Sequence, residues 1–133
     1  MFRIAYYRDF ITFESQVTPK EWAAFQTVYI NGNYETSEGI CVGSRKKNVE
    51  KVYKKFGLKE YNMSKIASMN LCSLDIALQG IDLADTFLYV DNSNIFSDSY
   101  QGTDYWRGLG AFIFILNKNN EVVKIIKYAP TSG

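Results

Sequence analysis

The chain has 133 residues, a formal net charge of +1 and no histidine, and 47% of its residues are hydrophobic. This length and composition predict one globular domain over residues 1–133, with residues 129–133 as a tail, and exclude a chain that is disordered throughout. The absence of histidine excludes histidine-based catalytic triads and the usual ligand sets for zinc.

The first part of the chain predicts a strand followed by a short helix. Residues 2–13 are rich in aromatic and β-branched side chains and contain no glycine or proline, which favours a strand, although a helix remains open. Thr18 and Glu21 then have the spacing of a capping box, in which Thr18 accepts a hydrogen bond from the amide of Glu21. Pro19 suits the first position of a helix, and the pattern predicts a helix over residues 19–27.

Residues 39–57 predict a strand-like segment, a glycine turn and a second helix. One helical face collects the apolar residues Val49, Val52, Tyr53 and Phe56, while lysines occupy the other face. Ser44 is a plausible N-cap, and Gly57 supplies the left-handed residue that commonly ends a helix. We therefore predict a helix over residues 45–56, preceded by a short apolar strand at residues 40–42.

The second half of the chain predicts mainly strands. Residues 64–84 match the helical and the strand period equally well, so no element is assigned there. A strand at residues 86–90 precedes a polar segment at residues 92–103 that predicts a long loop. The apolar residues of 105–116 predict a central strand, and the asparagines of 117–120 predict a hairpin turn to a strand at residues 121–128. The sum is an α+β fold, an antiparallel β-sheet with two short helices packed on it.

Charge is distributed unevenly along the chain. Residues 45–59 contain seven basic side chains and one acidic one, and residues 75–104 contain six aspartates and no lysine or arginine. Clustered lysines can neutralise nucleic-acid phosphates, but arginines that read base edges are absent from the lysine face apart from Arg45. A solvated helix face is the preferred interpretation, and we expect no nucleic-acid partner.

No catalytic or metal-binding pattern emerges from the remaining residues. Cys41 and Cys72 favour two buried thiols over a disulfide, although the sequence leaves their pairing open. The spacing that begins at Asp91 resembles the start of a calcium loop, but Ile95 and Gly102 stand where oxygen ligands belong. We expect no enzyme activity, no cofactor and no metal.

Residues 39–57 and 109–126 resemble the repeat unit of small secreted bacterial domains. Gly43, Val49 and Gly57 fill comparable positions in domains related to the β-lactamase inhibitor protein and to the outer-membrane assembly lipoproteins called SmpA/OmlA. In those families a helix packs on an antiparallel sheet whose last hairpin resembles residues 121–125. The resemblance implies a noncatalytic, protein-binding or envelope-associated domain. No export signal is visible at the N-terminus, so the location stays open: the resemblance favours an extracytoplasmic one if a leader was removed, and a cytoplasmic one is expected otherwise.

The residues that we predict to contact a partner lie at the end of the long loop and are Tyr100, Tyr105, Trp106 and Arg107. Tyrosine, tryptophan and arginine dominate the energetics of protein interfaces. The competing interpretation is that Trp106 begins the central strand and is buried. We expect a protein partner, no membrane span and an undetermined oligomeric state. The alternative function is a small-ligand-binding domain or a small enzyme that uses a tyrosine-lined sheet cavity near Asp104 or Arg107.

Overall fold

The described part of the chain forms one seven-stranded antiparallel sheet with short helices on its faces. A computed structural model of the chain describes residues 2–91 and 110–128. The strands are β1 (Phe2–Tyr6), β2 (Phe10–Thr18), β3 (Glu21–Tyr29), β4 (Lys59–Asn62), β5 (Thr86–Asp91), β6 (Ala111–Leu116) and β7 (Val122–Tyr128). The α-helices are α1 (Lys46–Tyr53) and α2 (Leu74–Leu78), and two 3₁₀ helices span Lys54–Phe56 and Met63–Met69.

The sheet has the strand order β1-β2-β3-β7-β6-β5-β4, and each neighbouring pair is antiparallel. The first three strands form one meander and the last four form another. The two meanders meet where β3 pairs with β7, which places β7 in the middle of the sheet and β1 and β4 at its two edges. The prediction of an antiparallel sheet is therefore confirmed.

Two hydrophobic clusters cover the inner strands from opposite sides. On the side that we call the first face, Ile113 and Ile115 of β6 share a cluster with Ile66 of the second 3₁₀ helix and Ala77 of α2. On the second face, the core residues of β6 and of α1 share the other cluster, which includes Phe112, Phe114, Val49 and Tyr53. Successive side chains of a strand alternate between faces, so a strand buried on both sides must be apolar at every position. Every residue of β6 is buried, which confirms the predicted central strand for residues 111–116 of its span 105–116, of which residues 105–109 lie outside the described residues.

The N-terminal prediction of one strand over residues 2–13 is wrong in its length. The segment forms two strands, β1 and β2, because the chain turns at residues 7–9. The amide of Tyr7 donates to the carbonyl of Phe10 at 2.9 Å, and the Asp9 carboxylate accepts hydrogen bonds from the side-chain amides of Asn31 and Asn33 at 2.8 Å. These bonds lower the pKa of Asp9. Arg8 and Asp9, two charged residues inside an apolar run, were the sequence signal for this turn.

The helix predicted over residues 19–27 is also wrong, because residues 19 and 20 form a turn and the rest of the segment belongs to β3. Thr18 and Glu21 face each other across a tight turn, and the Thr18 hydroxyl accepts from the amide of Lys20 at 3.4 Å rather than from Glu21. The aromatic and β-branched residues that follow suit a pleated sheet, and pairing with β2 and β7 satisfies the backbone along much of β3. Tertiary pairing here outweighs the local capping pattern.

The second predicted helix is confirmed in outline. Residues of the predicted span 45–56 form α1 followed directly by the first 3₁₀ helix, and Gly57 ends it in the left-handed conformation with φ of 81°. Ser44 is not the N-cap, because Arg45 holds that position and the Ser44 hydroxyl instead accepts from the amide of Cys41 at 3.0 Å. The strand predicted at residues 40–42 is reduced to a single bridge between Glu35 and Cys41.

The remaining predictions have mixed outcomes. The ambiguous stretch at residues 64–84 is helical where it is regular, with the second 3₁₀ helix and α2, and its one strand-like feature is an isolated bridge from Leu83 to Asn117. The strand β4 was not predicted at all. The strand at residues 86–90 and the closing hairpin are confirmed. In that hairpin the Asn117 side chain accepts from the amides of Asn119 and Glu121 at 2.9 and 3.0 Å. Both cysteines are free, but Cys41 is half-buried and Cys72 is exposed, so the prediction of two buried thiols is wrong.

The left-handed end of the first helix generates a stability prediction. A Cβ added at Gly57 would meet no described atom within 4 Å, so substitution there affects only the backbone conformation. Gly57→Ala should lower the free energy of unfolding by about 1 kcal/mol, because non-glycine residues are strained at this φ. Gly57→Asn, the matched variant, should lose less since asparagine tolerates the left-handed region. Urea denaturation of the three proteins measures the difference, and equal losses for alanine and asparagine would contradict this explanation.

Candidate functional site

The predicted contact residues Tyr100, Tyr105, Trp106 and Arg107 lie outside the described residues. Their role at an interface therefore stays a prediction. The described strands do show where the intervening segment is attached. Asp91 at the end of β5 pairs directly with Ala111 at the start of β6, so the segment leaves and rejoins the sheet at the same point.

A different surface is built by the edge strand β1. Its side chains Phe2, Ile4 and Tyr6 alternate along the strand and are 59%, 39% and 70% exposed. Across the ladder, Phe13 opposite Ile4 and Ile11 opposite Tyr6 are buried in the cluster on the first face, whereas Ser15 opposite Phe2 is exposed. Directly opposed residues project to the same face of a sheet. The side chains of Phe2, Ile4 and Tyr6, which we call the edge surface, therefore extend the apolar first face out to solvent.

The backbone of the same three residues points away from the sheet. The amide of Tyr7 donates to Phe10, which makes this pair hydrogen-bonded in the ladder between β1 and β2. Hydrogen-bonded and non-hydrogen-bonded pairs alternate along an antiparallel ladder, so Ala5 and Arg3 also turn their backbone groups toward β2. Phe2, Ile4 and Tyr6 turn theirs outward. The edge surface thus combines exposed apolar side chains with backbone donors and acceptors available for another strand.

The one charge on β1 is balanced within the chain. The Arg3 guanidinium donates to the Glu14 carboxylate at 3.0 Å and lies 4.3 Å from the centre of the Trp22 ring. Glu14 is buried and also accepts from the Thr12 hydroxyl at 2.6 Å. These contacts are on the second face, because Arg3 alternates with the residues of the edge surface. No net charge is therefore left on β1 to repel another strand.

The polar character of the second face continues inward from β1. Thr12, Thr27 and Lys127 are aligned across β2, β3 and β7, and all three are buried. Burial lowers the pKa of Lys127 to about 8. This polar row crosses the second face beside the neighbouring rings of Phe10 and Tyr29, so the second face of the outer strands is only partly polar.

The strand at the opposite edge of the sheet, β4, differs from β1 in features that hinder pairing with another chain. β4 has four residues and includes Lys59 and Glu60, whereas β1 pairs with β2 without a register shift and contains no lysine or proline. The Glu60 carboxylate accepts from Lys46 of α1 at 2.8 Å and from Thr86 at 2.7 Å, and these bonds lower its pKa. Short, charged edge strands resist pairing with other chains, and long uncharged ones invite it. β1 is the edge without such protection.

A group of tyrosines lies on the first face near the attachment point of residues 92–109. The rings of Tyr61 and Tyr89 are 5.9 Å apart, and hydrogen bonding links the Tyr89 hydroxyl to Tyr128 and Asp91. Burial, followed by the neighbouring Tyr128 and Asp91, raises the pKa of Tyr89, and burial raises the pKa of Tyr128 to about 12. These hydroxyls stay protonated at neutral pH and can donate hydrogen bonds, but they are not bases.

The described residues offer little else of recognisable chemistry. Within residues 2–91 and 110–128, no group of three acidic or cysteine side chains is placed to hold a metal ion. In that same part of the chain, no helix has the length and apolar character needed to cross a bilayer. Lys47, Lys51, Lys54 and Lys55 of the first helical region are exposed.

Comparison with known proteins finds no match, whether the chain is compared with protein-family models, with curated proteins or with solved structures. The edge surface was missed in the sequence because residues 2–13 were treated as one strand. The alternation of Phe2, Ile4 and Tyr6 with Arg3 and Ala5 indicates that the three side chains share one face of a strand, but not that this strand lies at an edge.

The tyrosine group predicts loss of stability at alkaline pH. The pKa of Tyr128 is about 12 in the folded protein against 10.0 for an ordinary tyrosine, so the folded state holds its proton more tightly. The stabilisation is complete below about pH 10 and is lost as the pH rises through about 12. Tyr128→Phe should therefore reduce the drop in unfolding free energy between about pH 8 and about pH 11 by about 1 kcal/mol.

Urea denaturation at the two pH values measures this drop. Tyr7→Phe, which removes the hydroxyl of a half-exposed tyrosine, is the matched control and should keep the wild-type drop. If the unfolding free energy of Tyr128→Phe falls as much as that of the wild type, the raised pKa of Tyr128 is contradicted.

Proposed function

We propose that this chain is a noncatalytic protein-binding domain that uses the edge surface of β1. The observation that carries the proposal is the coincidence of outward backbone groups with exposed apolar side chains on Phe2, Ile4 and Tyr6. A partner segment that adds a strand to β1 would form main-chain hydrogen bonds with these residues, and its alternate side chains would contact the apolar row.

The electrostatics of β1 support this mode of binding. Neutralisation of Arg3 by Glu14 and its stacking on Trp22 hold the charge on the second face, away from the edge surface. A partner can therefore pair with β1 without burying an unpaired charge, which would cost several kcal/mol. The neighbouring strand β2 is paired along nearly its whole length, so β1 is supported from behind.

The segment of residues 92–109 is proposed as a second contact. Tyr100, Tyr105, Trp106 and Arg107 have the side chains typical of interface hot spots. Association with the bacterial envelope is proposed on the resemblance of residues 39–57 and 109–126 to secreted domains.

A second candidate function is small-ligand binding, which the tyrosine group favours. Tyr61, Tyr89 and Tyr128 place aromatic rings and hydroxyls beside Asp91 at the end of β5. A small polar aromatic ligand would suit such a lining. Tyr89→Phe would then weaken ligand-induced thermal stabilisation of the chain, while edge-surface variants would leave that stabilisation unchanged.

The protein-binding proposal is tested by comparing variants in quantitative affinity capture from cell extract. Tyr6→Lys places a charge on the edge surface, and Trp106→Ala with Arg107→Ala removes the second contact. Val17→Lys is the matched control, since Val17 is exposed to 55% but lies on β2. We expect capture of a specific protein to fall about tenfold in Tyr6→Lys, a loss of about 1.4 kcal/mol, and to persist in Val17→Lys.

The fraction of capture that is lost in the variant carrying Trp106→Ala and Arg107→Ala measures how much the second contact contributes to binding. Identical capture by Tyr6→Lys, Val17→Lys and wild-type protein would contradict the proposed role of the edge surface.

A further inference from the structure

We propose that the edge surface binds a second copy of this chain, with the two β1 strands antiparallel about a two-fold axis at Ile4. This inference rests on the proposed function, because it takes β1 as the binding strand. It adds that the partner is a second copy of the chain. The two seven-stranded sheets would then join into one continuous sheet across the axis.

The side chains of β1 are self-complementary in this register. Ile4 is the middle residue of the strand, so it lies opposite the partner's Ile4, and Phe2 lies opposite the partner's Tyr6. All of these side chains project to the first face, because they alternate along the strand. Directly opposed side chains have Cβ atoms roughly 4.5–5.5 Å apart, which brings aromatic rings and the two isoleucines into contact. Every exposed apolar residue of one β1 therefore meets an apolar residue of the other.

The backbone matches in the same register. Phe2, Ile4 and Tyr6 are the residues whose amides and carbonyls face outward, as the hydrogen bond from Tyr7 to Phe10 establishes. Pairing about Ile4 makes each opposed pair a hydrogen-bonded one. No outward donor or acceptor among these three residues is left without a partner.

The charges also allow this arrangement. Arg3 lies opposite the partner's Ala5 on the second face, and the two arginines become diagonal neighbours. Each carries its own Glu14 at 3.0 Å and its own Trp22 at 4.3 Å, so their mutual repulsion is offset within each copy. Pairing with β4 of another copy would instead place the apolar row beside Lys59 and Glu60, where the apolar side chains gain no equivalent contacts.

Association about a two-fold axis stops at two copies. Both β1 edges are consumed, and both ends of the joined sheet are β4 strands with the charged residues Lys59 and Glu60. A closed dimer is the usual outcome of such a self-complementary contact. A five-residue strand pair is smaller than the roughly 1,200–2,000 Å² interfaces of stable complexes, so the dimer should dissociate on dilution.

Sedimentation velocity of the full chain over a concentration series tests the proposal. Wild-type protein should shift from monomer to dimer as its concentration rises, and Val17→Lys should do the same. Tyr6→Lys should remain monomeric, because the new ammonium group would lie opposite the partner's Phe2. Ile4→Pro should also remain monomeric, since it removes an outward amide and leaves the bonds to β2.

Circular dichroism establishes whether each variant is folded. Because Tyr6 is exposed to 70%, Tyr6→Lys still tests the dimer if Ile4→Pro fails to fold. Wild-type protein that stays monomeric at every concentration would overturn the proposal, as would a Tyr6→Lys dimer of wild-type affinity. A monomeric wild-type chain that captures a different protein through Tyr6 overturns only the choice of partner and leaves the proposed function standing. If the wild-type chain neither dimerises nor captures another protein through Tyr6, both the dimer and the proposed function are rejected.

Discussion

The structure depends on the burial of β6 on both sides. A strand whose six residues are all buried needs a strand on each flank and a layer on each face. β5 and β7 provide the flanks, while α1 covers the second face and the 3₁₀ and α2 helices cover the first. Val49 and Tyr53 dock α1 because they occupy one helical face, and Gly57 then lets the chain turn toward β4.

The burial of the inner strands also explains why β1 has exposed apolar side chains. The described layers are gathered over the inner strands, and β1 lies three strands away from the centre at β7. Its inward neighbours Ile11 and Phe13 still reach the cluster on the first face, whereas Phe2, Ile4 and Tyr6 extend past it. An edge strand with apolar side chains is costly in water, and the pairing of Arg3 with Glu14 keeps the one charged residue from protecting it. The proposed binding surface is thus a consequence of where the core ends.

The sequence contained enough information for the central hairpin, because a short, wholly apolar run and an asparagine turn depend on neighbouring residues alone. It also indicated α1, whose apolar period and final glycine are local. It did not reveal that Thr18 and Glu21 lie in a hairpin, since the spacing of a capping box also fits a tight turn and only pairing with β2 and β7 decides between them. Whether a strand is internal or at an edge is equally nonlocal, so the exposure of Phe2, Ile4 and Tyr6 could not be derived before the sheet order was known.

The most direct test of the central claim is amide hydrogen exchange along β1, followed residue by residue by nuclear magnetic resonance at low and high protein concentration. The account predicts that Arg3 and Ala5, bonded to β2, are protected at both concentrations. It predicts that Phe2, Ile4 and Tyr6 exchange rapidly when dilute and become protected when concentrated. Protection of these three amides that does not change with concentration would contradict it.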